Sequence, residues 1–329
     1  MIPRLNIKFP LRRQIQFWFE KQYEPREGEY LLNHARTGIV MALRAALPKG
    51  GRVGVVAYNC HTVANAVVNA GCVPFFVDVT EDLRIDVKSV PVDLDAIVVT
   101  NLFGIRNDVS KIRERCPGAV VIVDNAHGYG LPTEGDFTVY SINQGKFPAL
   151  GPGGMLVVSQ KLPTIIQKIV EEQYAALPGY GFVGEVKLFC SMLVKAIAYC
   201  RCMYWLTMKM KKSSNPKVHQ EVVMKKMAPG VSRLYNAALP EIPKMIDLQR
   251  QNAAKIDGAF YGDNAFMAIV RTDDPIALQK QYAARGIETA THFSRCIEWA
   301  KQFGYVSGSC PTAEKLTKQL LMIPTYTSI

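Results

Sequence analysis

Short apolar runs alternate with helical stretches from Arg52 onward, and no other feature of the sequence restricts the fold as much. The first four runs cover residues 52–58, 73–77, 96–100 and 119–123. Residues 62–70 and 108–116, which connect some of them, have the length and apolar spacing of helices. Parallel neighbours need such a crossover, so the pattern predicts an α/β fold with a mostly parallel central sheet covered by helices.

Two more strands are predicted at residues 137–141 and 155–159. The stretch that joins them contains Lys146 and the glycine-rich turn Gly151-Pro152-Gly153-Gly154. We therefore expect Lys146 on a loop between two strands.

The α/β pattern ends after these strands. A helical insertion is expected at about 182–212, a long helix at about 235–260, a strand near 265–271 and a helix near 275–285. With 329 residues, the chain is long enough for two domains. We predict a large domain at 1–229, which includes the insertion, and a long helix with a smaller C-terminal α+β domain at 230–329.

The formal net charge of +11 is compatible with nucleic acid, an anionic membrane surface or an anionic substrate as partner. Much of the basic character lies at 182–217, where Lys195 and Arg201 interrupt an apolar segment and disfavour a membrane span. The pattern lacks the aromatic interleaving of single-strand binders, which predicts no nucleic-acid partner. A packed helix with a solvated basic face, peripheral membrane contact, and a cover over a substrate site all remain open.

The eight cysteines form no CxxC pair, and the five histidines are scattered. This distribution predicts reduced thiols and no metal site. The first residues carry Arg4 and Lys8 and lack the apolar core of a secretory signal, which predicts a cytoplasmic location.

Asp124 directly follows the apolar residues 121–123, at the carboxyl end of a predicted strand. Ligands of open α/β sheets bind at that edge. A buried carboxylate is costly unless it meets a cation, and a protonated pyridine nitrogen is such a cation. The alternative is that Asp124 only caps the following turn.

Lys146 lies five residues after Ser141, in an otherwise apolar and glycine-bearing stretch. A lysine removed from water loses its proton more easily and becomes a nucleophile. A loop lysine is more often a solvated charge, so the interpretation depends on its neighbours.

The segment His34-Ala35-Arg36-Thr37-Gly38 precedes a helical run at 39–46. Backbone N–H groups at a helix start, beside a cation and a hydroxyl, suit a phosphate. Thr37 could equally be a plain N-cap.

Cys60 belongs to a polar cluster, Tyr58-Asn59-Cys60-His61-Thr62, at the end of the first predicted strand. The cysteine is either catalytic or merely small. A nucleophilic thiolate needs a base beside it, and His61 is adjacent in sequence, although neighbouring side chains often point apart.

Together these motifs resemble the DegT/DnrJ/EryC1/StrS sugar aminotransferases, which use pyridoxal 5′-phosphate (PLP) and have the fold type I architecture of aspartate aminotransferase. The resemblance covers residues 30–160 and, more loosely, 230–252 and 284–329. It implies that Lys146 holds PLP as a Schiff base, that Asp124 pairs with the pyridine nitrogen, and that His127 lies by the ring. The implied cofactor-binding residues are Ala35, Arg36, Thr37, Asp124, His127, Ser141 and Lys146, of which Lys146 and Asp124 are also catalytic.

The implied reaction moves an amino group from an amino-acid donor, glutamate, to a keto sugar nucleotide, within a homodimer and in polysaccharide or amino-sugar biosynthesis. Two positions depart from the family. Cys60 stands where the family usually has an aromatic residue that stacks on the cofactor. Tyr58 or another side chain would then have to supply the stacking ring. Neither Val231 nor Ser232 is the asparagine that reaches a neighbouring subunit's phosphate.

Two alternatives to transamination stay open. A PLP-dependent sugar dehydratase shares the fold, but that branch replaces the lysine by histidine, and position 146 is lysine. A non-catalytic, cofactor-sensing or membrane-associated regulator is the other.

Overall fold

The computed structural model describes residues 2–3, 6–200, 203–204 and 218–327. Of the basic segment predicted at 182–217, residues 201–202 and 205–217 lie outside the described part. In the part that is described, no helix is both long and apolar enough to cross a membrane.

A seven-stranded sheet forms the centre of the large unit. Its strands are β1 (Glu29–Leu32), β2 (Arg52–Val56), β3 (Val73–Val77), β4 (Ala96–Thr100), β5 (Val120–Asn125), β6 (Phe137–Ser141) and β7 (Gly154–Val158). The order is β1-β7-β6-β5-β4-β2-β3. Strands β2 to β6 are parallel to one another. At one side of the sheet, β7 is antiparallel to β6, and β1 is antiparallel to β7. The predicted α/β class with a mostly parallel sheet is confirmed.

Helices cover both faces of this sheet. Those of the large unit are α1 (Leu11–Phe19), α2 (Ala35–Ala46), α3 (His61–Asn69), α4 (Val109–Arg115), α5 (Thr164–Ala176) and α6 (Phe182–Ala198). One buried cluster joins α2, α3 and α5 to the sheet, through side chains such as Met41, Val67 and Val170. A second cluster on the other face includes Ile112 of α4. Because both faces are buried, the strands are almost entirely apolar, which is why they could be recognised as continuous apolar runs.

Helix α2 lies unusually close to the sheet, and two glycines make this possible. A Cβ atom at Gly38 would lie 2.9 Å from a Val139 methyl group. A Cβ atom at Gly154 would lie 2.3 Å from the backbone nitrogen of Ala35. The glycine-rich turn therefore fixes where α2 begins.

The C-terminal part contains α7 (Pro229–Ala238), α8 (Ile242–Ala253), α9 (Pro275–Ala284), α10 (Cys296–Lys301) and α11 (Pro311–Leu316). Its strands β8 (Ala259–Phe260), β9 (Met267–Arg271) and β10 (Leu320–Pro324) form an antiparallel sheet of order β10-β9-β8. The strand near 265–271 and the helix near 275–285 were predicted.

The prediction of a single long helix at 235–260 is wrong. Helices α7 and α8 are separated at residues 239–241, and α8 ends at Ala253. Pro240 has no N–H to donate and Pro243 lies in the first turn of α8, so a continuous helix is disfavoured there. The boundary between the two domains at residue 229 stays a prediction.

The carboxyl ends of the parallel strands meet at one edge of the sheet. Strand β2 lies between β3 and β4, so the chain reverses its direction across the sheet at this point. Such a reversal opens a crevice at the carboxyl edge. Polar residues end three of the strands there: Thr100 ends β4, Asp124 and Asn125 end β5, and Ser141 ends β6.

Candidate active site

A cavity of about 100 Å³ lies at this carboxyl edge. Its walls come from the start of α2, the segment after β2, and the ends of β4, β5 and β6. Phe293 of the C-terminal part completes the wall. The structure brings together six of the seven residues predicted to bind a cofactor: Ala35, Arg36, Asp124, His127, Ser141 and Lys146. These residues span more than a hundred positions, so their meeting depends on the sheet.

Thr37 is the seventh predicted residue, and it does not line the cavity. Its side chain is fully buried, and its hydroxyl donates to Oδ1 of Asn33 at 2.8 Å. Its backbone N–H donates to the carbonyl of His34. It is not an N-cap either, because α2 begins at Ala35 and His34 occupies the cap position. Thr37 therefore supports the loop under the cavity and has no donor left for a phosphate.

Asp124 is 3% exposed, and burial raises the pKa of its carboxyl. Oδ1 accepts from the backbone N–H of Ala126 at 2.9 Å, which acts in the opposite direction. Among the described residues, the only hydrogen-bond contact of Oδ2 is a long one of 3.5 Å, with the Thr100 hydroxyl. A carboxylate can accept about four hydrogen bonds. This oxygen faces a cavity with capacity left, so the carboxylate suits a cationic N–H group of a ligand.

Lys146 and His127 lie in hydrogen-bond contact inside this cavity. Nζ of Lys146 lies 2.6 Å from Nε2 of His127. The backbone N–H of Phe103 donates to Nδ1 of the same ring, at 3.3 Å, and so fixes the orientation of the ring. His127 therefore holds the end of the Lys146 side chain in one position in the cavity.

The His127 ring is held by aromatic packing. Phe103 stacks on it at a centroid distance of 5.1 Å, and Phe293 lies nearly parallel at 5.9 Å. Burial moves the pKa of His127 well below its usual value. The ring therefore stays neutral over the physiological pH range, as its hydrogen bonds require.

The other end of the cavity is suited to an anion. The first N–H groups of α2 point out of the helix start, where the helix dipole is positive. Burial, followed by the charge of Arg36, lowers the pKa of His34 to about 4, so His34 is neutral near pH 7. Arg36 therefore supplies the positive charge, and Ser141 and Asn143 add a hydroxyl and an amide.

Cys60 lines the cavity at the start of α3, and its side chain and His61 do point towards each other. Sγ lies 4.0 Å from Nδ1 of His61 and accepts from the Thr62 hydroxyl at 3.1 Å. Burial alone would raise the pKa of the thiol, but these contacts help to bring it down to about 7. Tyr58 cannot supply the missing aromatic ring, because it is fully buried and donates to the carbonyl of His292.

Cys60 should therefore alkylate with a pH midpoint near 7, below the ~8.5 of an ordinary thiol. Thiolate content, and hence the rate with iodoacetamide, rises as pH passes that midpoint. Peptide mass spectrometry would give the rate, with the exposed Cys190 as internal comparison. PLP should protect Cys60 and leave Cys190 unaffected. A midpoint near 8.5, or no protection, would contradict this placement of the thiol.

Sequence reasoning missed several residues of this site. Thr100 is polar at the end of an apolar strand, the same signal that revealed Asp124, and could have been found. Asn59 belonged to a recognised cluster, and its amide donates to the Thr100 hydroxyl at 2.9 Å. Phe293 comes from the C-terminal part of the chain, and no local sequence pattern indicates that it lines this cavity.

A lysine, a buried carboxyl group and the start of a helix line one cavity at the carboxyl edge of an α/β sheet. PLP-dependent enzymes need a lysine and a partner for the pyridine nitrogen in one site. Residues 31–176 match the profile of the DegT/DnrJ/EryC1/StrS aminotransferase family.

Solved structures match over nearly the whole chain. The sugar aminotransferase CalS13 from Micromonospora echinospora has a TM-score of 0.72 at 16% identity, over 99% of this chain and 95% of that one. A PLP form of the putative sugar aminotransferase Spr1654 from Streptococcus pneumoniae has 0.71 at 16% identity, covering 99% and 94%. DesI, crystallised with its TDP-sugar product, has 0.68 at 18% identity, covering 99% and 87%. Likeness at these identities shows the shared fold.

Proposed function

We propose that this protein transfers an amino group from an amino-acid donor, glutamate, to a keto sugar attached to a nucleoside diphosphate. The observation that carries the proposal is the contact of 2.6 Å between Lys146 and His127, in the cavity that Asp124 also lines. Lys146 would be the nucleophilic amine of this cavity, and the carboxyl group of Asp124 would be the partner of the pyridine nitrogen. The acceptor class is supported by DesI, a match of the same fold that was crystallised with a TDP-sugar.

The lining residues fit PLP at both of its ends. Asp124 would accept a hydrogen bond from the pyridine N–H and keep that nitrogen protonated, which offsets the cost of burying the carboxylate. The start of α2, Arg36 and Ser141 would bind the phosphate. His127 would lie by the ring, held by its contact with the backbone of Phe103.

Bound PLP supplies an electron sink, which stabilises negative charge on the carbon that bears the amino group. Lys146 would attach the cofactor through Nζ and, once displaced by the incoming amine, would move a proton as general base and acid.

Absorbance spectroscopy of the purified protein with PLP tests the proposal. A visible band that borohydride fixes as a covalent adduct on Lys146 is expected, and glutamate should bleach the unreduced band. Aspartate and alanine serve as comparison donors. Absence of an adduct would overturn PLP binding, and an adduct that no amino acid bleaches would favour a cofactor-sensing protein on the same fold.

The homodimer and the cytoplasmic location expected from the sequence stay predictions. So do contact with a membrane surface and a role in polysaccharide or amino-sugar biosynthesis.

A further inference from the structure

Helices α1 and α6 lie side by side at the β1 end of the sheet and expose many apolar side chains. The ring of Trp18, in α1, lies 6.2 Å from that of Phe182 and 5.5 Å from that of Phe189, both in α6 (centroid to centroid). Beneath them, one buried cluster joins both helices to Leu31 of β1. Among the described residues, seven of the seventeen exposed large apolar side chains lie on these two helices, and each of the seven is between 52% and 83% exposed. We call these seven residues the apolar patch: Leu11, Ile15, Phe19, Phe182, Val183, Val194 and Ile197.

On each helix the exposed apolar residues share one face. Leu11, Ile15 and Phe19 follow one another at intervals of four residues in α1. Val183 and Val194 are eleven residues apart in α6, which is about three helical turns. The apolar surface is therefore a property of two helix faces. Contiguous apolar surface of this kind marks a contact site, whereas isolated exposed apolar residues are ordinary.

A groove continues the patch between the segment before α1 and the second half of α6. Its volume is about 590 Å³, with Phe9 and Pro10 on one side and Leu193 and Ile197 on the other. Ile197 belongs to both the groove and the apolar patch, so the two form one surface.

Positive charge accompanies the apolar residues of α6. Lys187 and Lys195 are exposed, whereas Glu185, the one acidic residue of this helix, is buried and accepts from the backbone N–H of Gly230 at 2.7 Å. Along the sequence, positions 186–220 contain six lysines and one arginine but no aspartate or glutamate. Helix α6 therefore exposes apolar side chains and cations together, and no carboxylate.

We propose that the apolar patch binds the surface of a bilayer that contains anionic lipids, with α1 and α6 lying in the plane of the headgroups. The apolar side chains enter the boundary between headgroups and acyl chains, and Lys187 and Lys195 contact the lipid phosphates. Interfacial amphipathic helices bind membranes through this combination of buried apolar area and attraction to anionic lipids. The inference goes beyond the proposed function and does not depend on it.

A second copy of the chain is the other candidate occupant of the patch. In a twofold contact the same surface meets itself, so the lysine-bearing face of α6 would lie against an identical face. Like charges across such a contact repel each other, whereas an anionic lipid surface has the complementary charge. The charge of α6 therefore favours the membrane.

Co-sedimentation of the full-length, PLP-loaded protein with unilamellar vesicles tests the assignment. One set of vesicles contains phosphatidylcholine alone, and the other contains equal parts of phosphatidylcholine and phosphatidylglycerol. The protein should bind the mixed vesicles at least about ten-fold more tightly, because only these attract the cations of α6. Added salt should weaken this binding by screening the charges.

Val194→Asp places a carboxylate in the centre of the patch. It should weaken binding to the mixed vesicles by at least about ten-fold, since one buried apolar side chain is lost and a like charge is added. Val306→Asp is the matched control, because Val306 is similarly exposed, at 70% against 65% for Val194. It follows Tyr305, which packs on Phe76 of β3, at the opposite end of the sheet. This control should bind as the native protein does.

The double variant Lys187→Gln/Lys195→Gln tests the charge separately and leaves the apolar residues in place. Binding to the mixed vesicles should fall by about five-fold for each lysine, while the weak binding to phosphatidylcholine should stay the same. Lys49→Gln/Lys88→Gln removes the same charge from two exposed lysines outside α1 and α6 and should have little effect.

The assignment is overturned if the native protein does not sediment with the mixed vesicles, if it binds both kinds of vesicle equally, or if each control loses as much binding as its test variant. Light scattering after gel filtration decides on the second copy: a dimer that Val194→Asp splits into monomers would mean that another copy covers the patch. Circular dichroism checks that Val194→Asp is folded, and the lysine variants decide the question if it is not. Attachment of PLP to Lys146 should be the same in all these variants, so this test is separate from that of the proposed function.

Discussion

Lys146→Ala should abolish covalent attachment of PLP and lower any transamination rate by about 10⁴-fold, the upper end of what a general acid–base group contributes. The variant removes the amine that His127 positions at 2.6 Å. PLP held by Asp124 and the start of α2 can still bind noncovalently, so it should wash out on dialysis. The measurements are the visible absorbance band, borohydride fixation followed by mass spectrometry, and the rate of bleaching by glutamate.

Lys161→Ala is the control, because Lys161 is an exposed lysine that follows β7 and does not line the active-site cavity. It should behave as the unaltered protein in all three measurements. Circular dichroism should show that both variants are folded. A borohydride-stable adduct that persists in Lys146→Ala would place the reactive amine elsewhere and remove the basis of the assignment.

Residues that end buried strands were the part of the site that the sequence could predict. Asp124 follows a run of apolar residues, and parallel strands place their carboxyl ends at one edge. Local pattern and global topology therefore give the same answer for this residue, whereas Ser141 was assigned by the resemblance to the family. The predicted place of Lys146, between β6 and β7, follows in the same way.

Residues whose role depends on contacts across the fold could not be predicted. The orientation of the His127 ring beside Lys146 depends on one backbone N–H, that of Phe103, which has a positive φ of 52°. Non-glycine residues adopt that conformation rarely, and no composition rule indicates it here. Thr37 illustrates the reverse case: its position in the motif was right for a phosphate contact, but Asn33, four residues earlier, takes its hydroxyl.

Asp124→Asn should change the stability of the free protein and its affinity for PLP in opposite directions. The native carboxyl is buried and its pKa is raised, so the unfolded state ionises at lower pH than the folded state. The folded state then loses stability as pH rises above the unfolded pKa of about 3.9. Asparagine keeps the acceptor for Ala126 N–H and carries no charge. The melting temperature of the free variant should therefore exceed that of the native protein near pH 8, and the difference should vanish near pH 3.

With PLP added, the order should reverse. The native protein gains stability from the cofactor that it binds, whereas the variant lacks the carboxylate that holds the pyridine nitrogen protonated and should gain much less. The rate of bleaching by glutamate should fall by about 100-fold or more, as for the loss of one preorganised electrostatic contact. Asp93→Asn removes an exposed carboxylate that pairs with Arg52, and it should change both quantities little. If Asp124→Asn destabilises the free protein at pH 8 and binds PLP normally, then Asp124 is a structural cap, because that result needs the charge for folding and not for the cofactor.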